Sequence, residues 1–83
     1  MNETIRALIA QHGRLPVEAS ALDDHQDLYA AGLTSFSAVQ LMLAIEEAFD
    51  LEFPERLLNR RTFESISAIA SAIAEMAPSK AVA

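Results

Sequence analysis

Eighty-three residues hold only two glycines and three prolines, and between these breakers apolar side chains return every third or fourth position rather than every second one. That spacing builds helices with one buried stripe, because a helical turn takes 3.6 residues; strands would need alternation. A chain this short makes one domain. No cysteine is present, so neither a disulfide nor a thiolate–metal site can hold the fold. Apolar packing must, and 52% of the sequence is available for it.

A first helix is expected over residues 2–12, with Ile5, Leu8, Ile9 and His12 on one face and Gly13 as its stop. Residues 14–33 carry Pro16 and the acidic Asp23, Asp24 and Asp27 without a sustained period. They read as one long loop with a helical turn near 18–22, and long loops in compact domains are often functional. A second helix opens at Gly32-Leu33-Thr34-Ser35, capped by Thr34 or Ser35, and runs to about Asp50. Leu41, Ile45, Ala48 and Phe49 form its inward stripe. Phe36, Val39 and Leu43 make a second apolar stripe beside Gln40, Glu46 and Glu47; it is either more core or a surface for a partner.

Pro54 suits the start of a short third helix over 54–59, with Leu57 and Leu58 inward. Thr62 is expected to cap a fourth over 63–76, buried through Phe63, Ile66, Ile69, Ala70 and Ile73 and ended by Pro78. The expected fold is all-α: an antiparallel four-helix bundle of three long helices and one short third helix, with a long loop between the first two. Residues 1–77 form the domain and 78–83 a flexible tail.

Twelve Asp and Glu oppose six Lys and Arg, a formal net charge of −6. Such a surface repels nucleic acid and favours partners with basic patches, besides keeping a small domain in solution. Met1-Asn2-Glu3-Thr4 lacks the features of a signal peptide, and the apolar block 41–45 is too short for a bilayer. The expectation is a cytoplasmic monomer with neither nucleic-acid nor membrane partners. Gly32-Leu33-Thr34-Ser35-Phe36 is not a nucleophile elbow, so a triad of Ser35 with His12 or His25 is set aside. The stretch 23–27 lacks the glycine and glutamate of a calcium loop, and no glycine-rich phosphate cradle exists. No catalytic residue and no metal site are expected.

The ordered set Asp27-Leu28-Tyr29-Ala30-Ala31-Gly32-Leu33-Thr34-Ser35-Phe36, then Val39, Leu41 and Ile45-Glu46-Glu47-Ala48-Phe49, with the later Phe53-Pro54, resembles the acyl and peptidyl carrier protein family over residues 3–76. The resemblance implies that a phosphopantetheinyl transferase moves 4′-phosphopantetheine from coenzyme A onto the Ser35 hydroxyl, and that the arm's thiol carries cargo as a thioester. Thr34 and Gly32 then belong to the attachment loop, at a helix N-terminus that favours a phosphodiester. The competing account of Ser35 is an ordinary helix cap. The resemblance makes the second stripe a docking face of Phe36, Val39, Gln40, Leu43, Glu46 and Glu47, joined by Arg56 and Arg60. Two departures stand out: Thr34 occupies a position where the family commonly has Asp, and Arg56, Arg60 and Arg61 add positive charge where fatty acid carriers are usually acidic. Together with Leu57-Leu58-Asn59-Arg60-Arg61, the motif looks like that of stand-alone bacterial carriers charged with an amino acid by ligases resembling class II aminoacyl-tRNA synthetases. A carrier for a fatty acid or polyketide pathway, served by acyl-transfer enzymes, is the alternative. An unmodified helical interaction module is the rival from another class.

Overall fold

Helix α1, Asn2–His12, buries Ile5 and Ile9 and half-buries Leu8. The computed structural model describes residues 2–16 and 18–76; the expected tail over 78–83, and Pro78 as a helix stop, lie outside the described residues. The Gly13 N–H still reaches the Ile9 carbonyl oxygen at 2.8 Å, yet the left-handed residue that turns the chain is Arg14, φ 55°, rather than Gly13. One 3-10 turn, Ala19–Ala21, interrupts the long loop that follows.

Helix α2, Ser35–Phe49, starts at Thr34, whose Oγ1 accepts from the Ser37 N–H at 3.0 Å. It stops at Asp50, a left-handed residue whose N–H bonds back to the Glu46 carbonyl oxygen. Ala38, Leu41 and Ile45 are buried and Phe49 half-buried. Ala48, expected inward, is exposed. It borders an open groove of about 410 Å³ that α1 and α2 leave unfilled, lined also by Leu8 and His12.

The short third helix does not form as one piece. Two 3-10 turns take its place, Glu55–Leu57 and Arg60–Phe63. Between them Asn59 is extended (φ −145°, ψ 166°); its Oδ1 accepts from the Thr62 N–H at 3.1 Å and its Nδ2 donates to the Arg56 carbonyl oxygen at 3.0 Å. An Asn side chain that satisfies the backbone on both sides competes directly with helical hydrogen bonds. With the chain turned there, Leu58 is exposed instead of inward, and Leu57 is half-buried.

Helix α3, Ile66–Met76, begins three residues later than expected. Ser65, not Thr62, caps it: its Oγ accepts from the Ala68 N–H at 3.0 Å. Thr62 is itself buried in the preceding turn. Ile66, Ile69, Ala72 and Ile73 form the inward stripe, and Ala70 is half-buried. The fold is all-α, three helices with no strand among the described residues. Helix α1 packs on both α2 and α3. Leu22, Leu28 and Leu33 from the long loop complete the core, with Phe53 and Phe63 tilted against one another at 5.3 Å.

The two stripes of α2 predict unequal costs of truncation. Leu41→Ala should lose about 2–5 kcal/mol of unfolding free energy in urea, as a fully buried leucine does. Leu43→Ala, on the exposed stripe, should change it by no more than about 0.5 kcal/mol.

Candidate functional site

The loop ahead of Ser35 is a tightly bonded unit. The Asp27 Oδ1 accepts from the Tyr29 and Ala30 N–H groups at 2.9 and 3.2 Å, and its carbonyl oxygen accepts from Ala31 at 3.1 Å. The Gly32 N–H reaches the Tyr29 carbonyl oxygen at 3.1 Å, and the Leu33 N–H that of Leu28 at 2.9 Å. An Asp that bonds the amides two and three residues on is the ordinary way to hold such a turn. Leu28 and Leu33 anchor it in the core. Gly32 has φ +124°, and a Cβ there would lie 2.8 Å from Cδ of Pro16, so both backbone and space exclude a side chain.

This scaffold delivers Ser35 as the first residue of α2, exposed, with no side-chain hydrogen bond to any described residue. Thr34 takes the cap, which leaves the Ser35 hydroxyl uncommitted. Thr34 Oγ1 also accepts no further than Ser37, to whose Oγ it donates at 3.1 Å. The N–H groups at the mouth of a helix and its partial positive charge favour an anion at this position.

Beside Ser35 runs a groove of about 460 Å³, lined on one side by Ala38, Val39 and Met42 of α2 and on the other by Leu58, Asn59, Arg60 and Phe63, with Tyr29 at its edge. The Arg60 guanidinium lies over the Tyr29 ring, 4.0 Å from its centroid. Burial pushes the Tyr29 phenol above its ordinary 10.0; Arg60 pulls it down, while Asp27 and Glu64 add to the rise.

Around the outer face of α2, Phe36 (64% exposed), Val39 (50%) and Leu43 (51%) are open to solvent and make no core against the loop. At 3.6 residues per turn they share an arc of about 100° with Gln40 and Glu47, which are also exposed. Glu46 stands apart. Its carboxylate accepts from the Phe53 N–H at 2.8 Å and so ties the segment after α2 to the helix. Arg56 is paired with Glu75 across to α3, away from this arc, while Arg60 lies at the groove. No cluster of potential metal ligands occurs among the described residues.

Residues 3–73 match the family described as the phosphopantetheine attachment site. The chain belongs to that family. It is 61% identical over 69 residues to the aminoacyl carrier protein of Agrobacterium fabrum (strain C58), covering 83% of each chain. It also resembles, at 57% identity and a TM-score of 0.87, a structure of an engineered Bradyrhizobium japonicum glycine:[carrier protein] ligase complexed with the carrier protein from Agrobacterium tumefaciens and AMP; the match covers 88% of this chain and 97% of that one. A solution structure from Agrobacterium tumefaciens matches at 53% identity, TM-score 0.77, over 100% of both chains. This protein is thus a phosphopantetheine-bearing carrier, a substrate for other enzymes rather than a catalyst. The unmodified interaction module is set aside.

In this carrier, Tyr29, Met42, Leu58, Asn59 and Phe63 are site-lining residues that sequence reasoning missed. Tyr29 had a local signal, its place inside the attachment motif. Met42 follows Ser35 and Val39 at helical spacing on α2, whereas Leu58, Asn59 and Phe63 come from a separate segment whose meeting with α2 no spacing marks.

Tyr29 is the sole tyrosine, so its ionisation is readable by ultraviolet absorbance. Because folding raises its pKa, the folded state keeps the proton longer than the unfolded one. That contribution to stability is complete below pH 10 and is lost as pH climbs through the folded-state value. Phenolate absorbance should therefore rise at higher pH in native than in urea-unfolded protein, and Tyr29→Phe should remove this part of the alkaline loss of stability.

Proposed function

We propose that Ser35 takes the phosphopantetheine arm and that the cargo is an amino acid. The observation that carries this reading is the uncommitted, exposed Ser35 hydroxyl at the mouth of α2, within a family whose members bear the arm. When attached, the arm supplies the thiol that a chain without cysteine lacks, and an aminoacyl group is held there as a thioester. Ser35 presents its oxygen to the phosphopantetheinyl transferase, Thr34 caps α2 in its stead, and Gly32 lets the loop pass against Pro16.

The cargo assignment is supported by the aminoacyl carrier of Agrobacterium fabrum and by the ligase-bound carrier of Agrobacterium tumefaciens, both more than half identical to this chain. A glycine:[carrier protein] ligase or a close relative of it, acting on a small amino acid, is the loading enzyme. It docks on the exposed arc of Phe36, Val39, Gln40, Leu43 and Glu47: apolar contacts supply affinity and the carboxylate steers. Glu46, bonded to the Phe53 amide, acts there through the shape it holds, while Arg56, exposed beside Glu75, stays open to a partner. The folded unit ends near residue 77 and works as a monomer in the cytoplasm, where coenzyme A and ATP are at hand. No helix among the described residues is long and apolar enough to cross a membrane.

Intact-mass measurement after incubation with coenzyme A and a broad-specificity transferase should show the gain of one phosphopantetheine. Ser35→Ala should abolish the gain with helicity unchanged; a wild-type protein that gains nothing sinks the proposal. Once modified, the carrier should accept an amino acid from a stand-alone ligase with ATP. In that reaction Phe36→Ala should raise the KM for the carrier at least about fivefold, as loss of an interface anchor worth over 1 kcal/mol does. An unchanged KM would place docking elsewhere.

A further inference from the structure

Resting on the Ser35 reading, we infer that Arg60, held over the Tyr29 ring, grips the phosphodiester that joins the arm to the protein. Arg60 and Ser35 line one groove, and of the residues that line it Arg60 alone carries a charge. The chain as a whole is acidic, at −6, so a cation set beside the attachment point runs against the general field.

The other partnerships of the arginines sharpen the contrast. Arg6 is paired with Glu3 and Asp24, and Arg56 with Glu75. Arg60 has no ion pair among the described residues; what holds it is the Tyr29 ring. A cation–π contact with a ring uses none of the guanidinium's five N–H groups as a donor to an oxygen, so they remain to bind an anion. Those donors match two oxygens of a singly charged phosphodiester in a fork, a short and charge-assisted geometry. Because this contact has already restricted the side chain, less rotamer freedom is lost when the anion arrives. The helix mouth approaches the same group from the Ser35 side, so the anion is met by partial positive charge on one flank and a full cation on the other.

Arg60 lies over Tyr29 and lines the groove that Ser35 opens, which it shares with Val39 at the border of the exposed arc; Phe36 and Leu43 do not line that groove. Arg61 is an internal control: it is adjacent in sequence and exposed but lines a different groove, with Leu57, Thr62 and Glu75.

The test compares apo protein with protein modified by the transferase, in wild type, Arg60→Ala, Arg60→Lys and Arg61→Ala. Modification should raise the wild-type melting midpoint and move the Arg60 Nε–Hε resonance, and the 31P line of the diester should differ between modified wild type and modified Arg60→Ala. The rise should vanish in Arg60→Ala, persist in part in Arg60→Lys, remain whole in Arg61→Ala, and shrink with added salt. Using the difference between modified and apo forms removes any cost that the substitution has in the apo fold. An equal rise and a 31P line identical to that of modified wild type in Arg60→Ala overturn the inference. So does a wild type in which modification leaves both the midpoint and the Arg60 resonance unchanged. An Arg60→Ala variant altered only in its KM for the ligase makes the residue a docking contact instead. Failure of the wild type to gain mass overturns the Ser35 reading and this one together, whereas full mass gain with those null results overturns Arg60 alone.

Discussion

Leu28 is the residue on which the geometry of this carrier turns. Its side chain is fully buried, and its N–H donates to the Glu64 carbonyl oxygen at 2.7 Å, just ahead of α3. A few residues earlier the Asp24 carbonyl oxygen takes the Ser67 N–H at 2.8 Å, an otherwise unpaired group in the first turn of α3. The loop thus satisfies the start of one helix while leading into the start of the next. Ser35 is held at the surface because Leu28 and Leu33, on either side of a closed turn, cannot leave the core without exposing apolar area. Arg6, bonded to the Leu22 carbonyl oxygen and Asp24, fastens the same loop to α1.

The neutral cap at Thr34 takes its meaning from this arrangement. An aspartate there would satisfy the Ser37 N–H equally well but place a carboxylate next to a phosphodiester. Two like charges at neighbouring residues repel even near water, and more so against a partly apolar groove. With a hydroxyl in that place, no carboxylate stands at the cap itself, beside the positive end of α2. Asp27 and Glu64 lie close enough to Tyr29 to act on its phenol, and the net charge of −6 bears on approaching partners.

Where the sequence was legible, the controlling forces were local. The bounds of α1, the start and end of α2 and the 3-10 turn within the long loop follow from apolar period, capping chemistry and breakers, all readable within a turn or two. The exposed stripe of α2 was visible as surplus, since one helix in a three-helix core needs one buried face. What misled was competition between neighbours. Asn59 outbid the helical pattern at 54–59, and Ser65 took the cap that residue type alone assigned equally well to Thr62. Glu46 looks like a surface carboxylate until the chain folds back to bring the Phe53 amide to it.

The sequence alone determined an all-helical carrier with a serine at the mouth of its second helix, because helical period, caps and the attachment motif are contiguous along the chain. Only the tertiary structure decided which polar groups remain available. It bonds Glu46 to the Phe53 amide, pairs Arg56 with Glu75 at the surface, and sets Arg60 over a tyrosine 31 positions away in the groove that Ser35 also lines. Contacts between distant segments depend on how three helices pack, and that packing is set by the whole core rather than by any stretch that can be read in isolation.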